Sequence, residues 1–119
     1  MRDLPDFEDA FTHENNFYLS CDDSRIGKIL THYELFKMIK DLPGDIVECG
    51  VFAGVSLARF VSFRNLLEHP NSRKIIGFDT FDKFPTTNFE QDKLRREQFI
   101  VEAGSDSISK KQLLEVLER

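Results

Sequence analysis

The sequence predicts an α/β fold built on one βαβ unit, and three observations carry that reading. The first is the stretch Gly44-Asp45-Ile46-Val47-Glu48-Cys49-Gly50-Val51-Phe52-Ala53-Gly54-Val55-Ser56, where an apolar run, a carboxylate and two spaced glycines lead into a new apolar period. That order reads as a buried strand, a tight turn and a helix start. The second is Lys74-Ile75-Ile76-Gly77-Phe78-Asp79, another short apolar run ending in a carboxylate. The third is the helical period between them, in Leu57, Ala58, Val61 and Asn65 flanked by Phe60 and Leu67, which stops at His69-Pro70-Asn71. Strand, helix and strand within about 35 residues require a parallel pair joined by a right-handed crossover.

Length and composition bound the rest. A chain of 119 residues holds one domain at most. Its 40% apolar and 31% charged residues are those of a globular protein. A net charge of −5, with Lys and Arg scattered among acids, argues against a nucleic-acid or anionic-membrane surface. No apolar run approaches the roughly 18 residues of a membrane span, and the start lacks a hydrophobic signal region, so the expected compartment is cytoplasmic. Cys21 and Cys49 lie far apart and form no CxxC, which speaks against a disulfide framework or a zinc site.

Residues 1–23 read as an irregular arm with at most short helical turns, since Pro5, Asn15-Asn16 and Asp22-Asp23 interrupt its aromatic singles. Phe7, Phe11, Phe17 and Tyr18 are too apolar for a free tail, so the arm is expected to pack over the domain or over a neighbouring subunit in a homo-oligomer. Residues 24–42 form a helix: Ile26, Ile29, Leu30, Tyr33 and Phe36 keep helical spacing, Leu35, Met38 and Ile39 widen the face, and Asp23 or Ser24 supplies the cap. The βαβ unit occupies residues 45–79. Beyond it, residues 80–119 read as a loop and two helices, each announced by a capping box, Thr87-Asn88-Phe89-Glu90 and Ser109-Lys110-Lys111-Gln112. Gly104 ends the first of these helices, whose sparse apolar positions suggest a surface or lid element. Two parallel strands do not make a self-sufficient sheet, so the chain reads as the N-terminal part of a longer, here incomplete, α/β domain.

The turn after the first strand is the candidate site. A helix start behind a glycine-rich turn presents free N–H groups and partial positive charge, and Gly50 and Gly54 permit both turn and close approach. Glu48, separated from Gly50 by Cys49 alone, would repel a diphosphate there and welcome an ammonium or sulfonium group. Phe52 stands where a dinucleotide fingerprint wants its second glycine, and no Gly-Lys-Ser/Thr follows for a P-loop. Asp79 lies 25 residues past Gly54, close to the roughly 20-residue spacing of an acid that accepts ribose hydroxyls, with Phe78 or Phe81 beside an adenine. A ligand with a ribose, an adenine, an amino-acid tail and a sulfonium is S-adenosylmethionine. Its tail carboxylate is expected on the N–H groups between Val51 and Ser56, its ammonium toward Glu48 and its ribose on Asp79.

The residues from Pro43 to Ser56, followed by Gly77-Phe78-Asp79-Thr80-Phe81-Asp82-Lys83-Phe84-Pro85 and preceded by the helix Arg25-Ile26-Gly27-Lys28-Ile29-Leu30, resemble the macrocin O-methyltransferase (TylF-type) family of class I S-adenosylmethionine-dependent enzymes. The matching segments cover roughly residues 24–85. The resemblance implies the N-terminal βαβ portion of a Rossmann-like methyltransferase fold. It places Glu48, Cys49, Gly50, Val51, Gly54 and Ser56 on the methionine side of the cofactor and Asp79, Thr80 and Phe81 on the adenosine side. Such enzymes methylate hydroxyls of small molecules, often sugars, and many use a divalent metal such as Mg, whose ligands are expected after strands that follow Arg119. No catalytic or metal-binding residue is therefore assigned within this chain.

Each of these residues also has a plainer use. The glycines fit any strand-to-helix turn, Glu48 an ion pair with Arg or Lys, Asp79, Thr80 and Ser56 local caps, and Phe81 the core. His13, His32 and His69 are bases by type alone, with no partner at a motif spacing; His13 stands out only because an aromatic arm can fold across the cofactor mouth. The alternatives to an O-methyltransferase are a non-catalytic cofactor-binding fragment and, on the weaker glycine signal, a dinucleotide-binding oxidoreductase.

Overall fold

The computed structural model describes residues 2–119 as a mixed α/β arrangement of five α-helices and a two-stranded parallel sheet. A 3-10 turn (Phe7–Asp9) runs into α1 (Ala10–Ser20), then α2 (Asp23–Ile39), β1 (Ile46–Cys49), α3 (Val55–Leu67), β2 (Ile75–Phe78), α4 (Glu90–Ala103) and α5 (Lys110–Leu117). The strands pair with Ile46 opposite Ile75 and Glu48 opposite Gly77. This is the expected parallel pair with one helix between its strands.

Two clusters hold the elements together. Between α2 and α3, Phe36 is fully buried and its ring lies 6.0 Å from that of Phe63, which also meets Tyr33 and Phe60 at 5.8 and 6.3 Å. On the other side of α3, Val51 and Leu57 are buried against Ile108 and Leu113, so the last helix closes directly over the β1–α3 turn. Burying four such side chains contributes on the order of 1.5–3 kcal/mol each, which makes α5 a structural partner of the turn rather than an appendage.

Arg73 ties the two clusters' frame to the sheet. Its guanidinium donates to the carbonyls of Ile39, Leu42 and Gly44 at 3.0–3.1 Å, capping the C-terminus of α2 and the loop into β1. It also pairs with Glu68 at 2.7 Å, with both side chains at or below 10% exposure. This one side chain thereby ties the end of α2 to the loop that enters β1.

The structure departs from the sequence expectations at three element boundaries. The stretch read as an irregular arm contains an 11-residue helix, α1. Asp6 caps the 3-10 turn that leads into it by accepting from the N–H of Glu8, Ser20 Oγ donates to the carbonyl of Asn16 at its end, and the helix buries none of its residues, so no hydrophobic period marks it. The cap of α2 is Asp22, one residue earlier than expected. Thr87 forms no capping box: its Oγ1 accepts from the N–H of Phe89 as a local turn, and α4 begins only at Glu90. The Ser109–Gln112 box is formed as expected, and Gly104 at φ +81 ends α4. The face of α2 is narrower than its sequence suggests, with Leu30, Leu35 and Met38 between 50% and 74% exposed.

Among the described residues no helix is long and apolar enough to cross a membrane. The sheet is covered on one face by α3, while Val47 and Phe78 on the other are 55% and 60% exposed.

Candidate functional site

Pairing between the strands continues one step past β1, where the N–H of Gly50 donates to the carbonyl of Phe78 at 2.8 Å. The chain then turns sharply, with Phe52 at φ +48 and Gly54 at φ +79. A phenylalanine in the left-handed region is uncommon and needs support from its surroundings. Asp79 supplies it. One carboxylate oxygen accepts from the N–H of Val51 at 2.6 Å and of Phe52 at 3.0 Å, and the other from the N–H of Phe81 at 3.0 Å and the hydroxyl of Thr80 at 3.3 Å. All four acceptor directions of the carboxylate are thus used inside the chain. Burial works to raise its pKa, but the bonds from Phe52, Phe81 and Val51 outweigh it and hold the group below the ordinary Asp value.

The two glycines of the turn serve different ends. A Cβ on Gly54 would stand 2.8 Å from Leu113 Cδ1, so this position is filled by α5. At Gly50, with φ +88, a Cβ would meet nothing within 4 Å. Gly54 is required by packing, while Gly50 leaves its backbone open to whatever lies in front of the turn.

What lies there is a pair of clefts that share Gly50 and Phe52 as a wall. One, of about 600 Å³, is lined by Arg25 and Lys28 of α2, Glu48 of β1, Ser56 and Arg59 of α3 and Phe99 of α4. The other, of about 460 Å³, is lined by Phe78, Asp79, Thr80, Phe84, Pro85 and Ser107. The Phe52 ring divides them, packed edge-on against Phe84 and Phe99 with centroids 6.3 and 5.3 Å away. The first cleft is charged and the second largely aromatic.

Glu48 is the unusual group of the charged cleft. Its Oε2 is buried and has no hydrogen-bond partner among the described residues. Burial raises its pKa, opposed by the positive charges of Arg59 and Lys28. Arg59 shares the cleft but does not pair with it: its guanidinium donates instead to Nδ1 of His32 at 2.9 Å. For Nδ1 to accept, the imidazole must be neutral with its proton on Nε2. Burial and then the charges of Arg59 and Lys28 lower the His32 pKa, in keeping with that form, and its ring stacks on Phe60 at 4.9 Å. The N–H groups of Ala53, Val55 and Ser56 carry no backbone hydrogen bond among the described residues, as expected for the first turn of a helix.

Of the residues singled out from sequence, Glu48, Gly50, Val51 and Ser56 line the charged cleft, and Gly50, Asp79 and Thr80 line the aromatic one. Gly54 opens instead onto a smaller cavity of about 240 Å³ beneath the N-terminal segment, with Leu4 and Leu113. Cys49 is exposed and lines neither cleft. Phe81 packs against the core cluster, and Phe78 and Phe84 take the place beside the aromatic cleft. The helix of the N-terminal arm does reach the charged cleft, through Phe17, while His13 turns back to the carbonyl of Asp6 at 3.2 Å. Arg59, Lys28 and Arg25 were not singled out from sequence. The signal was present in their spacing, since Ser56 and Arg59, like Arg25 and Lys28, stand three apart on one helix face.

Among the described residues no three His, Cys, Asp or Glu side chains come together in a way that could hold a metal ion. Comparison with protein-family models, with curated proteins and with solved structures found no match.

Proposed function

We propose that the chain is the N-terminal portion of a class I, Rossmann-like methyltransferase of the TylF type, which binds S-adenosylmethionine and serves methyl transfer to a hydroxyl of a small molecule such as a sugar. The observation that carries this reading is Glu48, a carboxylate with a buried, unpartnered oxygen beside the open backbone of Gly50, at the junction of a charged and an aromatic cleft. A cation is the partner such an oxygen lacks. A zwitterionic tail fits the charged cleft, with its ammonium on Glu48 and its carboxylate toward the free N–H groups of Ala53, Val55 and Ser56. An adenine fits the aromatic cleft, between Phe78, Phe84 and Pro85.

The geometry also refines the expected contacts. The N–H groups of Val51 and Phe52 are held by Asp79, so the tail is left to the residues after them. Asp79 first supports the turn, and the 3.3 Å bond from Thr80 is the longest of its four and the one a ribose hydroxyl would replace. Phe52 argues against a dinucleotide, because it stands at the position where that fingerprint needs a glycine for the backbone to approach a pyrophosphate. The bare sheet face bearing Val47 and Phe78 supports the reading as part of a larger layered domain, since parallel sheets are ordinarily covered on both faces. In that domain S-adenosylmethionine supplies the methyl group, and these residues bind and orient it.

A thermal-shift comparison tests the reading. S-adenosylhomocysteine should raise the melting temperature of the chain in proportion to the logarithm of its concentration, and NAD should not. Stabilisation by NAD alone overturns it.

A further inference from the structure

The charged cleft carries more positive charge than the proposed cofactor can use. Arg25, Lys28 and Arg59 face it against the single acid Glu48, an excess of two positive charges in a chain whose net charge is −5. None of the three forms an ion pair among the described residues. Arg59 is the telling one, because it is partly buried and yet bonded to a neutral imidazole while a carboxylate stands in the same cleft. A partly desolvated guanidinium ordinarily takes a carboxylate or phosphate in its planar fork. Here His32 orients it and leaves the rest of the fork facing the cleft.

A bound methyl donor makes the imbalance larger. Its sulfonium and ammonium are positive and its carboxylate negative, so it adds one further positive charge. A neutral acceptor would leave the partly buried Arg59 without an anionic partner, with the exposed Arg25 and Lys28 at the same mouth, and an anionic one would neutralise it. The volume allows a second molecule, since the charged cleft of about 600 Å³ has only the amino-acid tail to hold once the adenosine lies in its own cleft.

We infer that the acceptor is an acid, a hydroxylated small molecule carrying a carboxylate or phosphate held by Arg59 with Lys28 and Arg25. This rests on the methyl-donor reading for the position of the acceptor. It names the substrate class within that reading: a sugar acid or a sugar phosphate ahead of a neutral sugar. Arg59 and Glu48 then divide the cleft between them, the arginine for the acceptor's anion and the glutamate for the donor's cation.

The test is calorimetric titration of the full chain, saturated with S-adenosylhomocysteine, with glucuronate, glucose 6-phosphate and glucose. Both anions should bind at least about tenfold more tightly than glucose, and more weakly as salt rises. Which anion ranks first separates a carboxylate acceptor from a phosphorylated one. Lys28→Gln and Arg25→Gln, at exposed positions that do not threaten folding, should each weaken the anions severalfold and leave glucose unchanged, and Arg59→Gln should have the largest effect. Equal binding of glucose and both anions overturns the inference, as does anion binding that survives all three substitutions together. Titration with S-adenosylhomocysteine alone keeps the two ideas apart. Anions that bind while S-adenosylhomocysteine does not would sink the donor reading and retain a basic anion site, and the reverse would sink the acid acceptor alone.

Discussion

The carboxylate of Asp79 reaches back across the sheet to accept the N–H of Val51 at 2.6 Å, joining the end of the second strand to the turn that follows the first. With the second bond from Phe52, this relationship fixes a turn that contains a left-handed phenylalanine, and the two clefts on either side of that ring exist because the turn holds its shape. An acid at a strand end therefore acts on the site through the backbone as well as through any ligand.

Replacing Asp79 should accordingly affect stability even without ligand. Asp79→Ala leaves the N–H groups of Val51, Phe52 and Phe81 unpaired in a partly buried place, a loss of about 1–3 kcal/mol. Asp79→Asn, which keeps one acceptor oxygen, should lose less. Because the folded pKa is lowered, the stabilisation is present above the ordinary Asp value and is lost as pH falls through the folded value. Urea unfolding of both variants between neutral and acid pH measures it. Identical stability of Asp79→Ala and the wild type would show that the turn does not depend on this carboxylate.

Arg73 should be the most sensitive single position outside the clefts. Arg73→Met removes the charge paired with Glu68 and the cap on the carbonyls of Ile39, Leu42 and Gly44 at once. Breaking a buried pair by removing one partner costs about 3–5 kcal/mol. The bond and charge of Arg73 hold the Glu68 pKa below its ordinary value, so its stabilising contribution exists above that value and is lost as acid protonates the group. Denaturant midpoints for Arg73→Met and Arg73→Lys, compared at pH 7 and in acid, check both statements. A midpoint unmoved by Arg73→Met would contradict them.

The parts of this fold that were legible in the sequence are those whose reason is local. The apolar runs Ile46–Val47 and Ile75–Ile76, the glycines between them and the Ser109–Gln112 box each announce themselves within a few residues. Helix α1 was not legible because it buries nothing, and an amphipathic period is written only where a helix has a face to hide. The capping role of Arg73 was invisible for the opposite reason: the carbonyls it bonds lie 29 to 34 residues upstream, and no local pattern reports a contact at that distance. Within the site, Glu48 could be found from its place at a strand end, whereas the spacing of Arg59 from Ser56 gave only a shared helix face, and the contact that α2 makes through His32 is what sets Arg59 apart from a solvated helix charge. Gly54 shows the same limit. Its spacing suggested a ligand, and its neighbour is Leu113, almost at the end of the chain.

The two glycines of the turn therefore give opposite expectations. Gly54→Ala forces a Cβ to 2.8 Å from Leu113 Cδ1 at a positive φ, and should destabilise the chain by more than the roughly 1 kcal/mol expected of backbone strain alone. In a Leu113→Ala background the added cost of Gly54→Ala should shrink, the signature of a direct contact in a double-mutant cycle. Gly50→Ala carries only the strain of its φ, since its Cβ meets open space, but places a methyl where the ligand approaches. Affinity for S-adenosylhomocysteine should fall much more than stability at Gly50, and stability should fall first at Gly54. Equal effects of the two on stability and affinity would mean that the turn does not separate packing from binding.

The charge state of Glu48 gives the sharpest test of what the turn binds. Burial raises its pKa, so within the acid range the folded chain holds a proton there that a solvated glutamate would have released. In the free chain this group favours folding below its ordinary value, and that contribution is lost as pH rises through the folded value. Binding runs the other way, because only the ionised carboxylate attracts an ammonium. Affinity for S-adenosylhomocysteine should be full at neutral pH and fall as acid protonates Glu48, with one proton released per ligand bound inside that window. Glu48→Gln should bind weakly at every pH and lose the slope, while gaining or keeping stability at neutral pH, where the wild type must bury an unpaired charge. His32 titrates in the same experiment with a separable signature. Its lowered pKa makes its contribution to folding present above the ordinary histidine value and lost as pH falls, and His32→Gln should remove that part without removing the Glu48 slope in affinity. A pH profile of affinity unchanged by Glu48→Gln would mean that the unpartnered oxygen beside Gly50 is not where the cation sits.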